Sequence, residues 1–321
     1  MSSKLKQFLA ASGPFWGLLF VFMLFAVLSP QAFTSFYNLK TIFTQSVIIG
    51  IAALGMTFVI ISRGIDLSVG SQIALGTVVT AVLLNMGGGG WWPAVGALGG
   101  ILACAAVGAI AAFFITRFGV APFIVTLGTM QIARGAAKWI GSEQTVPTDD
   151  NWLQALMLID PEPGWLVFAP GIWIALLLLL VSAIALRYTI FGRYVYAIGS
   201  NEETARLCGV RVDLMKIIIY TLCGVFTGIA AIMQYSYLTI GDPTSAVGLE
   251  LDIIAAVVIG GASLNGGEGT AIGSFIGALI MAVLRNGCNM LGVPNFVQEI
   301  IIGAIIVGAV MIDQQKHRLK S

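Results

Sequence analysis

The sequence predicts an all-α membrane protein, a polytopic transmembrane helical bundle with about ten spans. Of its 321 residues, 58% are hydrophobic and only 10% are charged, and the apolar residues form long uninterrupted stretches. An ordinary soluble domain carries roughly 25% charged residues, because water must solvate its surface. A chain with so few charges is solvated by lipid instead. No polar stretch is long enough to form a soluble domain, so we expect residues 1–321 to form a single transmembrane domain.

The spans are placed in the gaps between charged residues, since a helix needs about 20 apolar residues to cross the hydrocarbon core. The first two lie between Gln7 and Leu39 and between Thr41 and Ser62, and the uncharged stretch Leu67–Thr116 has room for two more. The remaining apolar runs are Val120–Ile140, Trp165–Leu186, Ile217–Tyr237, Leu249–Leu264, Thr270–Leu291 and Phe296–Ile312. The run Leu249–Leu264 is short for a complete crossing. We expect the first span to be retained, because no cleavage site typical of a signal peptide follows it before Pro30.

The charges of the loops predict the orientation of the chain. Basic residues accumulate in the cytoplasmic loops of membrane proteins. The segment Arg187–Lys216 carries five basic residues, whereas Gly141–Pro163 carries five acidic residues and no basic one. We therefore predict that the first segment is cytoplasmic and the second is outside. Lys4 and Lys6 at one end, and a basic tail at the other, place both termini in the cytoplasm.

The residue inventory argues against an enzyme. The one histidine, His317, lies in the basic tail, and the four cysteines lack metal-ligand spacing. The chain contains no G-x-x-x-x-G-K-[ST] sequence that would cradle a nucleotide phosphate. A net charge of +1 without a basic run gives no reason to expect nucleic-acid binding. We predict no catalytic residue, no metal and no cofactor.

Small residues indicate close packing between some of the helices. Glycines recur at a spacing of four, a pattern that lets helix backbones approach closely in lipid. The pairs are Gly96/Gly100, Gly224/Gly228 and Gly273/Gly277.

The turn Ser62–Gly70 brings charged residues close to membrane depth, where an unpaired charge is costly. Ser68 is placed to cap the helix that follows. One interpretation is an ordinary turn with an exposed Arg63–Asp66 pair. The other is a functional polar site that includes Asp66.

Two further regions carry polar residues at membrane depth. In the stretch Gly241–Gly269, Glu250 and Asp252 open a short apolar run that ends in glycines, a pattern typical of a discontinuous membrane helix. The alternative is a short connecting loop between two complete helices. Gln131 and Arg134 fall within the fifth span, where Arg134 either pairs with an acid in the bundle or extends to the outer interface.

The long cytoplasmic segment, residues 188–215, predicts a short helix. Ser200 or Asn201 would cap it, Glu202 and Arg206 suit its dipole, and Gly209 would end it. This helix either joins two spans at the surface or docks a soluble partner.

Three motifs resemble those of ribose-type monosaccharide ABC importer permeases, the inner-membrane components of binding-protein-dependent transport systems. They are Gly55–Ser71, Gly192–Glu202 with Ala205–Leu207 and Gly209, and Glu250–Leu264. The resemblance extends from about the first span to the last. It implies a multi-pass permease of the inner membrane that translocates ribose, xylose or another small sugar.

The resemblance also implies partners. A cytoplasmic ABC ATPase subunit, with two fused cassettes, would hydrolyse ATP. A periplasmic or lipid-anchored sugar-binding protein would deliver the sugar. A second permease copy, identical or a close paralogue, would complete the pathway within the membrane lipid.

Site residues follow from the matched motifs. The coupling residues implied by the family are Asn201, Glu202, Ala205, Arg206 and Gly209, although Glu203-Thr204 stands where many relatives have small residues. The candidates for the translocation pathway are Asp66, Gln131, Arg134, Glu250 and Asp252. One alternative function is an ion-coupled secondary transporter of a small polar solute, with Asp66 or Glu250 as its ion site. The other is a passive channel or structural membrane scaffold.

Overall fold

The computed structural model of the protein describes residues 13–87 and 90–318. In the first half of the chain the helices are α1 (Gly13–Leu28), α2 (Pro30–Phe33), α3 (Phe36–Ile61), α4 (Val69–Met86), α5 (Trp92–Phe118) and α6 (Pro122–Ile140). In the second half they are α7 (Pro170–Tyr188), α8 (Ile190–Ser200), α9 (Glu202–Leu207), α10 (Val212–Leu238), α11 (Leu249–Ile259), α12 (Ala271–Met290) and α13 (Asn295–Arg318). Lys4 and Lys6, which support the predicted orientation, lie outside the described residues.

Within residues 13–87 and 90–318, six helices are long and apolar enough to cross a membrane, namely α3, α4, α5, α7, α10 and α12. Helix α1 and residues 295–308 of α13 are apolar but shorter. Large apolar side chains point outward, with Phe20, Val27 and Leu177 among the exposed ones. Such a surface suits lipid and not water. The prediction of a mostly helical, multi-pass membrane protein is therefore confirmed.

The acidic segment between α6 and α7 closes one end of the bundle. It contains the two-residue strand β1 (Val146–Pro147) and 3₁₀ turns at Trp152–Met157 and Gly164–Leu166. Strand β1 pairs antiparallel with β2 (Ile240–Gly241), which follows α10. Asn85, at the end of α4, donates a hydrogen bond to the Pro147 carbonyl at 2.9 Å. The ends of α4, α6 and α10 therefore lie at the same end of the molecule.

Helix α3 is the central element of the bundle. All of its residues from Val47 to Ile61 are buried. Helix α10 packs against α3, α4 and α5, and α12 packs against the other side of α3. A Cβ added at Gly55 of α3 would lie 2.8 Å from the Phe226 Cβ of α10, so the two helices touch closely.

The glycine pairs lie where helices approach one another, as predicted. A Cβ added at Gly228 of α10 would lie 2.5 Å from the Ile101 Cα of α5, and one added at Gly224 would lie 2.5 Å from the Cys104 carbonyl oxygen. On α12, a Cβ at Gly277 would lie 1.9 Å from the carbonyl oxygen of Ala256. These glycines let two backbones pack at distances that no other residue permits.

The stretch Gly241–Gly269 contains a short helix preceded by irregular chain, as the interpretation of a discontinuous helix predicts, and not only a connecting loop. Helix α11 has only 11 residues. At 1.5 Å per residue it is about 16 Å long, roughly half of the hydrocarbon thickness. The chain that leads into it, residues 239–248, has no regular helix, and we call it the irregular segment. Thr239 and Gly248 at its two ends both have left-handed backbone, with φ of 61° and 81°.

We predict that Gly277→Ala destabilises the bundle. The added methyl group would collide with the backbone of α11, and overpacking of this kind costs about 1–3 kcal/mol of unfolding free energy. The thermal unfolding midpoint of the detergent-purified protein measures the effect. The matched control is Gly303→Ala in α13, where nothing lies within 4 Å of the added Cβ. Equal midpoints for the two variants would contradict the packing argument.

Candidate functional site

Three separate parts of the chain meet at the end of the bundle opposite the β1–β2 pair. They are the end of α3, the α8–α9 segment and the loop between α11 and α12. The Gly267 N–H donates to the Ile61 carbonyl at 2.8 Å, and the Tyr196 hydroxyl donates to the Gly269 carbonyl at 2.7 Å. A Cβ at Gly199 would lie 1.7 Å from the Ile61 carbonyl oxygen. The α8–α9 segment therefore rests directly on the end of α3 and on the glycine-rich loop.

Helix α9 has the start and the end that its sequence predicts. The Asn201 side chain caps it by accepting a hydrogen bond from the Thr204 N–H at 2.8 Å. Gly209 follows it with a φ of +86°, which suits a residue without a Cβ. Ala205 is buried against the rest of the segment, and its buried apolar neighbours are Ile198, Val210, Val212 and Met215. Asn201, Ala205 and Gly209 thus shape and anchor the helix.

The charged residues of α9 pair with the first turns of α10. The Glu202 carboxylate contacts the Lys216 Nζ at 2.7 Å, and Arg206 contacts Asp213 at 3.0 Å and Glu202 at 3.6 Å. The hydrogen bond and the charge of Asp213 raise the pKa of the Arg206 guanidinium above its ordinary value. Because Arg206 is exposed, water screens these pairs and they contribute little to stability. They orient α9 relative to α10.

One outward-facing residue of α9 was not among the predicted site residues. The Leu207 side chain is 89% exposed, although it is apolar and belongs to a polar helix. Beside α9 lies an open groove of about 610 Å³, whose lining includes Arg193, Tyr194, Ala197, Thr204 and Cys208. An apolar residue at the end of a short, otherwise polar helix was the available signal in the sequence. Leu207 and this groove form the part of the α8–α9 segment that is open to a partner.

Asp66 is buried, and the interpretation as an exposed Arg63–Asp66 pair is wrong. Its side chain has no exposure, whereas Arg63 is exposed and has a left-handed φ of 65°. The Asp66 Oδ1 accepts hydrogen bonds from the Ser68 N–H at 2.9 Å and from the Ser68 hydroxyl at 2.5 Å. The Gln72 amide donates to Oδ2 at 3.4 Å. Ser68 does not cap α4, because its hydroxyl is directed at the carboxylate of Asp66.

The electrostatic state of Asp66 follows from this burial. Desolvation raises the pKa of its carboxyl group above the ordinary value of 3.8, and the hydrogen bonds from Ser68 and Gln72 oppose that rise. Two neighbouring polar atoms, the Gln72 Oε1 and the Tyr220 hydroxyl, are buried without a hydrogen-bond partner in the described structure. This turn is a closed polar cluster within the described residues.

Arg134 is bound to backbone and not to an acid. Its Nη1 donates to the Pro243 carbonyl at 2.9 Å and to the Ser245 carbonyl at 2.7 Å, both in the irregular segment. The carboxylates of Glu250 and Asp242 act on the guanidinium electrostatically, without an ion pair within 4.0 Å among the described residues. The predicted pairing with an acid is therefore replaced by two hydrogen bonds to backbone carbonyls.

The remaining pathway candidates lie in different places. The Glu250 carboxylate approaches α4, since a Cβ at Gly70 would lie 2.2 Å from its Oε2. Asp252 is buried and forms an ion pair with Arg285 of α12. Gln131 is exposed on α6. Within the described residues no group of three or more His, Cys, Asp or Glu side chains is arranged to hold a metal ion.

Comparison with known proteins adds a second line of evidence. A family model described as branched-chain amino acid transport system / permease component matches residues 38–310. The ribose import permease protein RbsC of Escherichia coli (strain K12) is 38% identical over 310 residues, which cover 94% of this chain and 92% of that protein. RbsC of Bacillus subtilis (strain 168) is 37% identical over 312 residues, 95% of this chain and 92% of that protein. The L-arabinose transport system permease protein AraH of Escherichia coli (strain K12) is 37% identical over 309 residues, which cover 95% of this chain and 92% of that protein.

We predict that the hydrogen bonds accepted by Asp66 stabilise the fold, whereas its negative charge does not. Asp66→Ala leaves the Ser68 N–H and hydroxyl donors without their buried acceptor, which costs about 1–3 kcal/mol of unfolding free energy. Asp66→Asn keeps an acceptor for Ser68, and a rotated Gln72 amide can pair its Oε1 with the new NH₂ group. We expect the Asn variant to be close to the parent in thermal midpoint near neutral pH.

The pH dependence separates the two effects. Because the pKa of Asp66 is raised in the folded protein, the folded state binds a proton more readily than the unfolded state does. The parent should therefore gain stability relative to Asp66→Asn as the pH falls from neutral toward the ordinary carboxyl value of 3.8. The difference in thermal midpoint between the two proteins measures this gain. A difference that is constant or shrinks on acidification would contradict the assignment.

Proposed function

The chain belongs to the family of branched-chain amino acid transport system / permease components, and we propose that it carries a monosaccharide across the inner membrane as the transmembrane subunit of an ABC importer. The observation that carries this proposal is full-length similarity to sugar permeases. The relatives named for ribose and arabinose import are 37–38% identical over 94–95% of the chain. The family description alone names amino acids, so the choice of a sugar rests on these relatives.

The protein is a transport component, and ATP hydrolysis lies in a separate subunit. An ABC ATPase on the cytoplasmic side and a periplasmic binding protein complete the importer. The ATPase would contain two fused cassettes, and a second permease copy would lie beside the first. Ten spans would place both termini in the cytoplasm, as the charges of the loops favour. Residues 1–321 would form one transmembrane domain with residues 188–215 as its coupling segment.

Coupling would begin at the α8–α9 segment. Closure of the ATPase would press on α9, whose exposed Leu207 and adjacent groove are open to a partner. The segment is tied to the bundle through Tyr196, which bonds Gly269, and through Gly199, which touches the end of α3. Movement of α9 would therefore reach both the central helix and the loop that leads to the discontinuous helix. Asn201, Glu202, Ala205, Arg206 and Gly209 would serve by fixing the shape and orientation of α9.

The pathway would run beside the irregular segment. Arg134 bonds to this segment and Glu250 lies just beyond it, and Gln131 is exposed one turn before Arg134 on α6. Asp66 and Asp252 would not contact the sugar directly and would support the helices around the pathway, since both are buried and already bonded. No covalent chemistry is needed, because the binding protein selects the sugar and ATP drives the change of state.

The first test is ATP hydrolysis by the reconstituted importer. The permease is assembled with its ATPase in proteoliposomes and offered binding protein loaded with individual monosaccharides or with branched-chain amino acids. We expect one or a few sugars to stimulate hydrolysis and to be accumulated in an ATP-dependent way.

Each result has a defined meaning for the proposal. Stimulation by an amino acid alone would replace the sugar with the substrate that the family description names. Uptake that needs an ion gradient and no ATPase would overturn the importer and favour an ion-coupled carrier. Collapse of the ion gradient with an ionophore is the control that separates the two.

We predict that Leu207→Asp weakens ATPase docking. Loss of an apolar anchor at the centre of an interface typically costs 2 kcal/mol or more, which is roughly a 30-fold loss of affinity. Binding of the ATPase to the permease in nanodiscs measures the loss. The matched control is Leu158→Asp, a 51% exposed leucine at the opposite end of the molecule. Equal affinities for the two variants would place the docking surface elsewhere.

A further inference from the structure

The irregular segment has backbone N–H and C=O groups that no helix of its own pairs, unlike the helices of the bundle. Non-helical backbone at membrane depth is tolerated only where it is buried in protein or lines a water-filled cavity. This segment passes alongside α4: Gly241 lies against Ala81, and the Ala246 carbonyl lies against Gly70. These two contacts on α4 are eleven residues apart, or about 16 Å of helix. The segment thus runs along about 16 Å of α4 without regular helical hydrogen bonds of its own.

Side chains from neighbouring helices satisfy the backbone of this segment. The Asp242 N–H donates to the Thr77 hydroxyl of α4 at 3.2 Å. Arg134 of α6 reaches the Pro243 and Ser245 carbonyls with one Nη1 atom. Arg134 lies six residues before the end of α6, about 9 Å along the helix, so a charge there needs partners. The guanidinium and the two carbonyls satisfy one another.

The segment is also strained and only partly covered. Ala246 has a left-handed φ of 58°, a conformation that is strained for a residue with a Cβ and persists only where the surroundings impose it. The residue before it, Ser245, is buried and has its carbonyl held by Arg134. Thr244 is exposed, and Val247 is 75% exposed. One face of the segment is packed on α4 and the opposite face is open.

We propose that residues 242–247 of the irregular segment form a wall of a water-filled translocation pathway, and that Arg134 is the positioning residue that holds this wall against α6. This inference rests on the proposed transport function. Arg134 acts through the Pro243 and Ser245 carbonyls and does not itself bind the sugar. When the guanidinium is absent, the two carbonyls lose their donor and the segment detaches from α6.

The test combines labelling and transport. Cys208 is exposed, so it is replaced by serine, whereas Cys104, Cys223 and Cys288 are buried and report an intact core by staying unlabelled. Single cysteines are then placed at Val247 and Ser245, and a membrane-impermeant maleimide is applied from each side of the proteoliposome. We expect Val247→Cys to be labelled and Ser245→Cys, which keeps its backbone carbonyl, to be protected.

Removing the Arg134 guanidinium should expose the side chain at position 245. In Arg134→Gln we expect labelling of Ser245→Cys to rise on the order of tenfold, as expected for a local opening eased by about 1.4 kcal/mol. Sugar uptake per ATP hydrolysed should fall by a similar factor. The matched control is Lys138→Gln, an exposed basic residue one turn further along α6, which should change neither measurement. Arg134→Lys should be intermediate, since an ammonium group has donors but no fixed fork.

Several outcomes would overturn the inference. Absence of labelling at Val247→Cys from both sides would show that this face of the segment does not line water. Unchanged protection of Ser245→Cys in Arg134→Gln would show that Arg134 does not position it. Labelling of Cys104, Cys223 and Cys288 in Arg134→Gln would show that this variant unfolds. The Arg134→Lys variant is then the test, and labelling of Ser245→Cys at the parent level in that variant would overturn the proposal. Failure of the parent to import any sugar would count against the proposed function alone, because the labelling does not depend on transport.

Discussion

The rest of this structure depends on the requirement that every backbone polar group at membrane depth find a partner within the protein. Regular helices meet it over most of the chain. At the discontinuous helix, side chains and close contacts meet it instead. Arg134 donates to two carbonyls, and the Thr77 hydroxyl accepts from the Asp242 N–H. The Gly267 N–H donates to the last carbonyl of α3. These exceptions lie in the parts to which we assign transport.

Glycine makes these exceptions possible at two places near the end of the bundle opposite the β1–β2 pair. At Gly70 the missing side chain leaves room for the Ala246 carbonyl and the Glu250 carboxylate. At Gly199 it lets the α8–α9 segment touch the backbone of α3. Both contacts connect parts of the chain that are far apart in sequence. A push on α9 would therefore reach both the buried end of α3 and the loop between α11 and α12.

The family motifs contain some residues that build the local structure and others that face outward, and only the structure distinguishes the two. Within the coupling motif, Asn201, Ala205 and Gly209 build the short helix, and the capping and stop signals predicted this correctly. Leu207 was missed as an outward residue, because an apolar side chain in a short helix reads equally well as core. Asp66 was open to two interpretations, and burial excluded one of them. Residue type and spacing do not reveal which neighbours cover a side chain.

The sequence by itself determined the class of protein, most helix positions, the broken helix and the glycine contacts. Each of these follows from local composition, since hydrocarbon solvation and helix capping act on short stretches of chain. The tertiary structure decided that Arg134 bonds to carbonyls more than a hundred residues away, that Asp252 pairs with Arg285, and that Tyr196 reaches Gly269. A buried polar group takes its partner from whichever segment packs against it. That choice depends on the three-dimensional arrangement of the helices, which no local pattern encodes.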